Sequence, residues 1–176
     1  MAIPLPARHS DTAVVLAAVL SMVAAAVLVA AAPEPYREAE LSYYVQVEQG
    51  HPSMGIMLQP VNSSFSKALG LTIAFALNMT QAQASTSKPV GVAHGYTVDT
   101  SYDSSYAGFE TEIIRYDDGV YKGTVHFQAL LDGSDPAEVA VLGGTGSFRG
   151  VVGWGTISQV LRQPPRLVYR HTLYFH

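Results

Sequence analysis

From residue 40 onward, hydrophobic and polar positions alternate with a period of two. Leu41, Tyr43, Val45 and Val47 interleave with Ser42, Tyr44, Gln46 and Glu48, the pattern of a strand with one buried face. Tyr121, Val125, Phe127, Ala129 and Leu131 share one parity, and Lys122, Thr124, His126 and Gln128 the other. Asp117-Asp118-Gly119 separates that run from Phe109–Tyr116, and an Asp-Gly step between two alternating runs predicts a hairpin. Further strands are predicted over Leu69–Leu77, Val90–Asp99, Glu138–Leu142, Val151–Leu161 and Arg166–Phe175. Turn-forming spacers part them at 83–89, 132–136, 143–146 and 163–165. No helical stripe and no internal repeat interrupts the pattern. About eight short strands punctuated this way predict a sandwich or an antiparallel barrel, of which only the barrel removes exposed edges.

The N-terminus breaks the rhythm. From Ala13 to Ala32 no charge occurs, and Ser21 is the only polar residue; Arg8 and His9 precede the run, and Ala30-Ala31-Ala32 closes it before Pro33. A charged start, an apolar stretch and a small-residue exit read as a secretory signal peptide cleaved near Ala32. The rival is a transmembrane anchor, but alanine is a weak membrane residue and no basic cluster follows to stop transfer. The domain reading is therefore 1–32 signal peptide, 33–39 short linker and 40–176 β-domain, with no membrane association after cleavage.

Composition sharpens this. The chain has no cysteine, which removes disulfide frameworks, Cys-ligated zinc, iron–sulfur clusters and a cysteine nucleophile. An exported domain without disulfides depends on its own packing, on self-association, or on both. The formal charge is −4, with no basic cluster to engage nucleic acid. Asn62-Ser63-Ser64 and Asn78-Met79-Thr80 are N-glycosylation sequons, meaningful in a secreted chain.

Most catalytic motifs fail on inspection. In Gly143-Gly144-Thr145-Gly146-Ser147-Phe148-Arg149-Gly150 no lysine follows the glycines, and Arg149 stands where a dinucleotide fingerprint needs glycine. Strands rather than a helix flank the cluster, so it reads as a tight connection. Ser147 lies between Thr145 and Arg149 rather than between the glycines of a nucleophile elbow. His51, His94, His126, His171 and His176 lack metal-ligand spacing, and no metal site is expected. Of the ten tyrosines, most fall on or beside strands, including Tyr102 and Tyr106. Tyrosines at a barrel mouth would suit an aromatic ligand, although tyrosine also simply favours strands.

At this point several segments resemble the plant dirigent family. Val90-Gly91-Val92-Ala93-His94-Gly95-Tyr96 is similar to its Val-Gly-x-Ala-x-Gly segment, and Tyr121-Lys122-Gly123-Thr124 to its Tyr-x-Gly-Ser/Thr strand. The stretch from Glu138 through Gly143, Gly144, Thr145, Gly146, Ser147, Phe148 and Arg149 resembles the family's glycine signature, and Val168–His176 its closing strand. The resemblance implies a secreted, eight-stranded antiparallel β-barrel of the allene-oxide-cyclase-like type, self-associated as a trimer or dimer and located in the apoplast. It implies no cofactor: such proteins steer the coupling of phenoxy radicals supplied by a laccase or peroxidase, in lignan and phenylpropanoid biosynthesis. An alternative within the family is a barrel that only binds a phenolic or cell-wall ligand in defence or stress.

The chain departs from lignan-forming members at positions implied to carry chemistry. The acid and the arginine that follow the glycine signature correspond to Ser147 and Val152, the early His-Asp pair to Gln46 and Val47, and the Asp-Asp pair to Ala76 and Leu77. No catalytic residue is thereby assigned. The resemblance leaves Tyr96, with Tyr44 beside it, as the expected ligand-binding residues. Gly91, Gly95, Gly143, Gly144, Thr145, Gly146, Phe148 and Arg149 remain as structural motif positions.

Overall fold

The computed structural model describes residues 33–61, 67–101 and 107–176. The predicted signal segment with Ala32, the sequon residue Asn62, and Tyr102 and Tyr106 lie outside the described residues. Nine strands occur among the described residues: β1 (Glu40–Glu48), β2 (Met54–Leu58), β3 (Thr72–Thr80), β4 (Pro89–Asp99), β5 (Gly108–Asp117), β6 (Lys122–Leu131), β7 (Ala137–Gly146), β8 (Gly153–Gln163) and β9 (Arg166–Phe175). All pairings are antiparallel, in the order β1-β9-β8-β7-β6-β5-β4-β3-β2. Pairing of Tyr44–Gln46 with Asn78–Thr80 joins β1 to β3 and closes the sheet. Strands β1 and β3–β9 thus form a closed eight-stranded barrel, and β2 is an added edge strand along β3.

The alternation in the sequence is the alternation of the barrel wall. On β1, Leu41, Tyr43, Val45 and Val47 are buried inside while the intervening residues are not. On β6, Val125, Phe127 and Ala129 are buried on the parity expected for them. The Asp117-Asp118-Gly119 hairpin forms as predicted: Asp118 Oδ1 accepts from the amides of Val120 and Tyr121, each at 2.8 Å.

Two expectations change. Strand β2 was not predicted because, as an edge strand, it is exposed on nearly every residue and shows no alternation to read. Residues 143–146, expected as a turn, continue β7 and pair with Gly123–His126 of β6. The glycines serve close approach rather than reversal. A side chain at Gly144 would sit 2.5 Å from the Thr124 carbonyl and 2.6 Å from that of Phe148. The reversal comes later, at 147–150, where Phe148 folds back into the barrel and is fully buried.

Phe148 closes one end of the barrel. Its ring lies 4.9 Å from Tyr36 and 5.7 Å from Tyr116. Tyr36 also packs 4.7 Å from Tyr121 and 5.4 Å from Phe175, and its amide donates to the Ser147 carbonyl at 2.7 Å. Part of the 33–39 segment, expected as a linker, is therefore a structural cap. Aromatic pairs at these separations add about 0.5–1.5 kcal/mol each beyond the area they bury. The other end of the barrel, where β1, β3–β6, β8 and β9 meet the loops at 49–53, 132–136 and 164–165, is not capped in this way.

Candidate functional site

The uncapped end leads into a cavity of about 960 Å³ inside the barrel. Its walls are mostly apolar: Val45 and Val47 from β1, Ile73, Phe75 and Leu77 from β3, and Ile157 from β8. Gly95 on β4 makes room for the Phe75 ring, since a side chain there would lie 2.6 Å from it.

Polar groups enter chiefly from β5, β8 and β9, with Thr97 from β4. Strand β5 turns Glu110 and Glu112 inward, on the parity of the buried Ile114 and Tyr116. Strand β9 contributes Tyr169 and His171, and β8 contributes Gln159 and Arg162. Gln159 Nε2 donates to the Tyr169 hydroxyl at 3.0 Å. His171 Nδ1 is 3.2 Å from the Tyr43 hydroxyl and 3.8 Å from Glu112 Oε1. The first is a hydrogen bond, and the second is too long for one. Glu112 Oε1 is buried without any hydrogen-bond partner. Such an atom in a native fold calls for an explanation, and a ligand group is one.

Burial sets the protonation of this cluster. It pushes the Glu110 carboxyl from 4.5 up to about 7. Burial, reinforced by the neighbouring Glu110, raises Glu112 well above the usual carboxylate range. Burial lowers His171 from 6.5 to about 3, and raises the Tyr43 hydroxyl, with Glu112 and Glu110 adding to the effect. At neutral pH the imidazole is neutral, so its contact with Glu112 is not an ion pair, and burial favours the protonated form of Glu112. Glu110 stands near the midpoint of its titration and can give or take a proton. Among the described residues, no three His, Asp or Glu side chains are grouped to hold a metal ion.

The residues singled out in the sequence fall elsewhere. Tyr96 is 43% exposed on the outer surface, because Ala93, Gly95 and Thr97 take the inward positions of β4. Tyr44 is likewise on the outer parity of β1, opposite Arg170. Neither lines the cavity, because strand alternation turns both to the outer face. Ser147 is buried in the cap, where its Oγ accepts from the Lys122 amide at 3.0 Å, and Val152 is exposed. Neither reaches the cavity. Gln46 and Ala76 face outward, whereas their neighbours Val47 and Leu77 line the cavity and are apolar. Gly91 and Gly95 lie in β4, Gly143, Gly144, Thr145 and Gly146 in β7, and Arg149 is exposed on the turn after it. Asn78 is exposed on the outer face of β3.

Glu110 and Glu112 were missed because Phe109, Ile113 and Ile114, Tyr116 put hydrophobic residues on both parities of β5. The available signal was the hairpin register. Pairing Tyr116 with Gly123 and Ile114 with Val125 places both glutamates beside the inward Phe127 and Ala129.

The profile of dirigent-like proteins matches residues 40–175. No curated protein matches the chain. Solved structures do. The pterocarpan synthase dirigent protein GePTS1 is 23% identical with a TM-score of 0.67, over 77% of this chain and 87% of that one. The pterocarpan synthase dirigent protein PsPTS1 is 21% identical with a TM-score of 0.65, over 80% of this chain and 99% of that one. A pyocyanin demethylase shares the barrel at 16% identity with a TM-score of 0.56, over 78% of this chain and 99% of that one. With the profile spanning the whole barrel and the fold in agreement, the chain belongs to the dirigent family.

Proposed function

We propose that this protein binds a phenolic intermediate inside the barrel and fixes the stereochemistry of the next bond it forms. The observation that carries this reading is the inward pair Glu110 and Glu112 in an otherwise apolar cavity of about 960 Å³. Apolar walls restrain a planar ring, and the carboxyls give it one polar orientation. In radical coupling the phenoxy radicals come from a laccase or peroxidase, and the barrel contributes orientation alone. A tenfold preference between faces needs only about 1.4 kcal/mol of differential stabilisation. The carboxyls then move protons as the coupled product rearomatises. Secretion to the apoplast through residues 1–32, glycosylation at Asn62 and Asn78, and self-association belong to the same proposal. The exposed apolar residues Ile56, Met57 and Leu58 on edge strand β2 support self-association.

The test is to incubate the protein with a laccase and coniferyl alcohol and to resolve the product enantiomers. An enantiomeric excess that rises with protein concentration is expected. Racemic product at saturating protein overturns radical coupling of this substrate.

A second reading is favoured by the buried carboxyl of Glu112, whose protonated form burial favours, and by the likeness to two pterocarpan synthase dirigent proteins. In it the barrel closes a ring on a bound phenolic by acid catalysis, without an oxidase. Turnover of a cyclisable phenolic with no oxidase added distinguishes it. Ligand binding with neither turnover nor any change in product chirality leaves the binding-only barrel.

A further inference from the structure

The acids in this cavity stand where the resemblance does not put them. The family's implied carboxylates map to Val47, Ala76, Leu77 and Ser147; of these only Val47 and Leu77 line the cavity, from β1 and β3, and both are apolar. The carboxyls enter instead from β5, two residues apart on one face of one strand. Glu112 is only 3% exposed, and its Oε1 lies in the cavity with no donor within reach. His171 Nδ1 is engaged with the Tyr43 hydroxyl, and the Tyr169 hydroxyl accepts from Gln159 Nε2. Arg162 lines the cavity from the loop-proximal end of β8, and Asp135 from the loop between β6 and β7, adding a third acid to the lining. The lining thus holds Glu110 and Glu112 beside a neutral imidazole, with Asp135 and the Arg162 guanidinium toward the loop end and apolar and aromatic walls around them.

We propose that the cavity is built for an aromatic ligand bearing a protonated amine, whose ammonium is held by Glu112 and Glu110 while its ring packs against Phe75 and Leu77. A buried carboxyl pair is costly without a cation, and a ligand ammonium removes that cost while filling the vacant acceptor at Glu112 Oε1. The walls bury the ring, as they would a neutral phenol. The added charge contact is what separates the two ligand classes. The inference rests on the reading of the barrel interior as the ligand site.

The probes are tyramine and tyrosol, which share a phenol ring and differ in an ammonium against a hydroxyl. Binding to the full mature protein is measured by titration calorimetry, with Glu112→Gln, the apolar Glu112→Met, and the cavity-filling Ile157→Trp alongside. Tyramine is expected to bind about tenfold or more tightly than tyrosol, since a hydrogen bond to a charged group contributes about 1.5–3 kcal/mol. Its binding heat depends on the buffer's ionisation enthalpy, because a carboxyl proton is released as the ammonium docks. Both Glu112 variants lose the preference, tyramine affinity falling to that of tyrosol, and Ile157→Trp loses both ligands. Equal affinities in the unsubstituted protein, or a preference that survives both Glu112 variants, overturn the amine assignment. If tyrosol still binds and Ile157→Trp abolishes it, the cavity reading stands without the amine. If neither probe binds, both fail.

Discussion

Replacing Glu110 with glutamine isolates the electrostatic cost of carrying a carboxyl on the inner wall. Glu110 is 9% exposed, and burial raises its carboxyl from 4.5 to about 7. An acid with a raised pKa in the fold holds its proton more tightly folded than unfolded. Its favourable contribution is complete below pH 4.5 and is lost as the pH climbs through about 7. The corresponding free energy is about 3 kcal/mol, roughly 6–12 °C in melting temperature for a domain of this size. His171 works in the opposite sense. Its pKa falls from 6.5 to about 3, so stability from that group grows as the pH rises to 6.5. Comparing Glu110→Gln with the unsubstituted protein cancels the histidine, which both proteins carry. Urea unfolding at about pH 4 and about pH 8 is the assay. The variant is expected to gain about 3 kcal/mol on the unsubstituted protein between those two conditions. Unfolding curves whose separation does not change with pH would refute the claim that Glu110 is buried and titrates near neutrality.

Tyr43→Phe removes the hydroxyl that pairs with His171 Nδ1, so a buried ring nitrogen loses its partner. A loss of about 1–3 kcal/mol is expected, read as a lower urea midpoint with an unchanged slope. Phe148→Ala empties the centre of the cap, where the ring is fully buried. It should cost about 3–5 kcal/mol by thermal or urea unfolding. Asp118→Ala removes the acceptor of the Val120 and Tyr121 amides in the β5–β6 hairpin, and a loss of about 1 kcal/mol is expected in the same assay. The double substitution Ile56→Lys and Leu58→Lys places charge on the exposed edge strand β2. Light scattering coupled to size exclusion should then show a smaller particle than the unsubstituted protein forms, and an unchanged mass would exclude β2 from the association surface.

The barrel was legible because its wall alternates wherever one face is wet. β1 and β6 declare their inward residues on one parity, and the Asp-Gly hairpin fixes how β5 meets β6. Legibility failed where that contrast is missing. β2 is exposed on both sides, so nothing in its composition marks an inner face. The glycines of β7 look like a turn because the requirement for closeness and the requirement for reversal select the same residue. Only the tertiary approach of Thr124 and Phe148 tells them apart. β5 is the consequential case, since its outer face carries Phe109 and Ile113 while its inner face carries Glu110 and Glu112. A reading by hydropathy alone sees no reason to turn glutamates inward, and chooses the tyrosines of β1 and β4 instead.

That last inversion separates what a family resemblance transmits from what it does not. The motif that identifies the chain lies in Gly91, Gly95 and the β7 glycines, and at Gly91, Gly95, Gly144 and Gly146 added side chains would strike neighbouring backbone or a packed ring. Those positions hold strands close together and are silent about the ligand. The cavity is lined by a different set, one residue in two along each strand, and any of them can change without disturbing the ladder behind it. Val47 and Leu77 are apolar where acids are implied, and Glu110 and Glu112 supply carboxyls from a third strand. The backbone therefore specifies a barrel with a cavity, and the inward side chains specify what the cavity does. Residue-by-residue transfer fails here because it maps chemistry by strand position, although carboxyls on any wall of a closed barrel can reach the same volume. For this protein the decisive comparison is between inner-wall residues that share the cavity, whichever strand they come from.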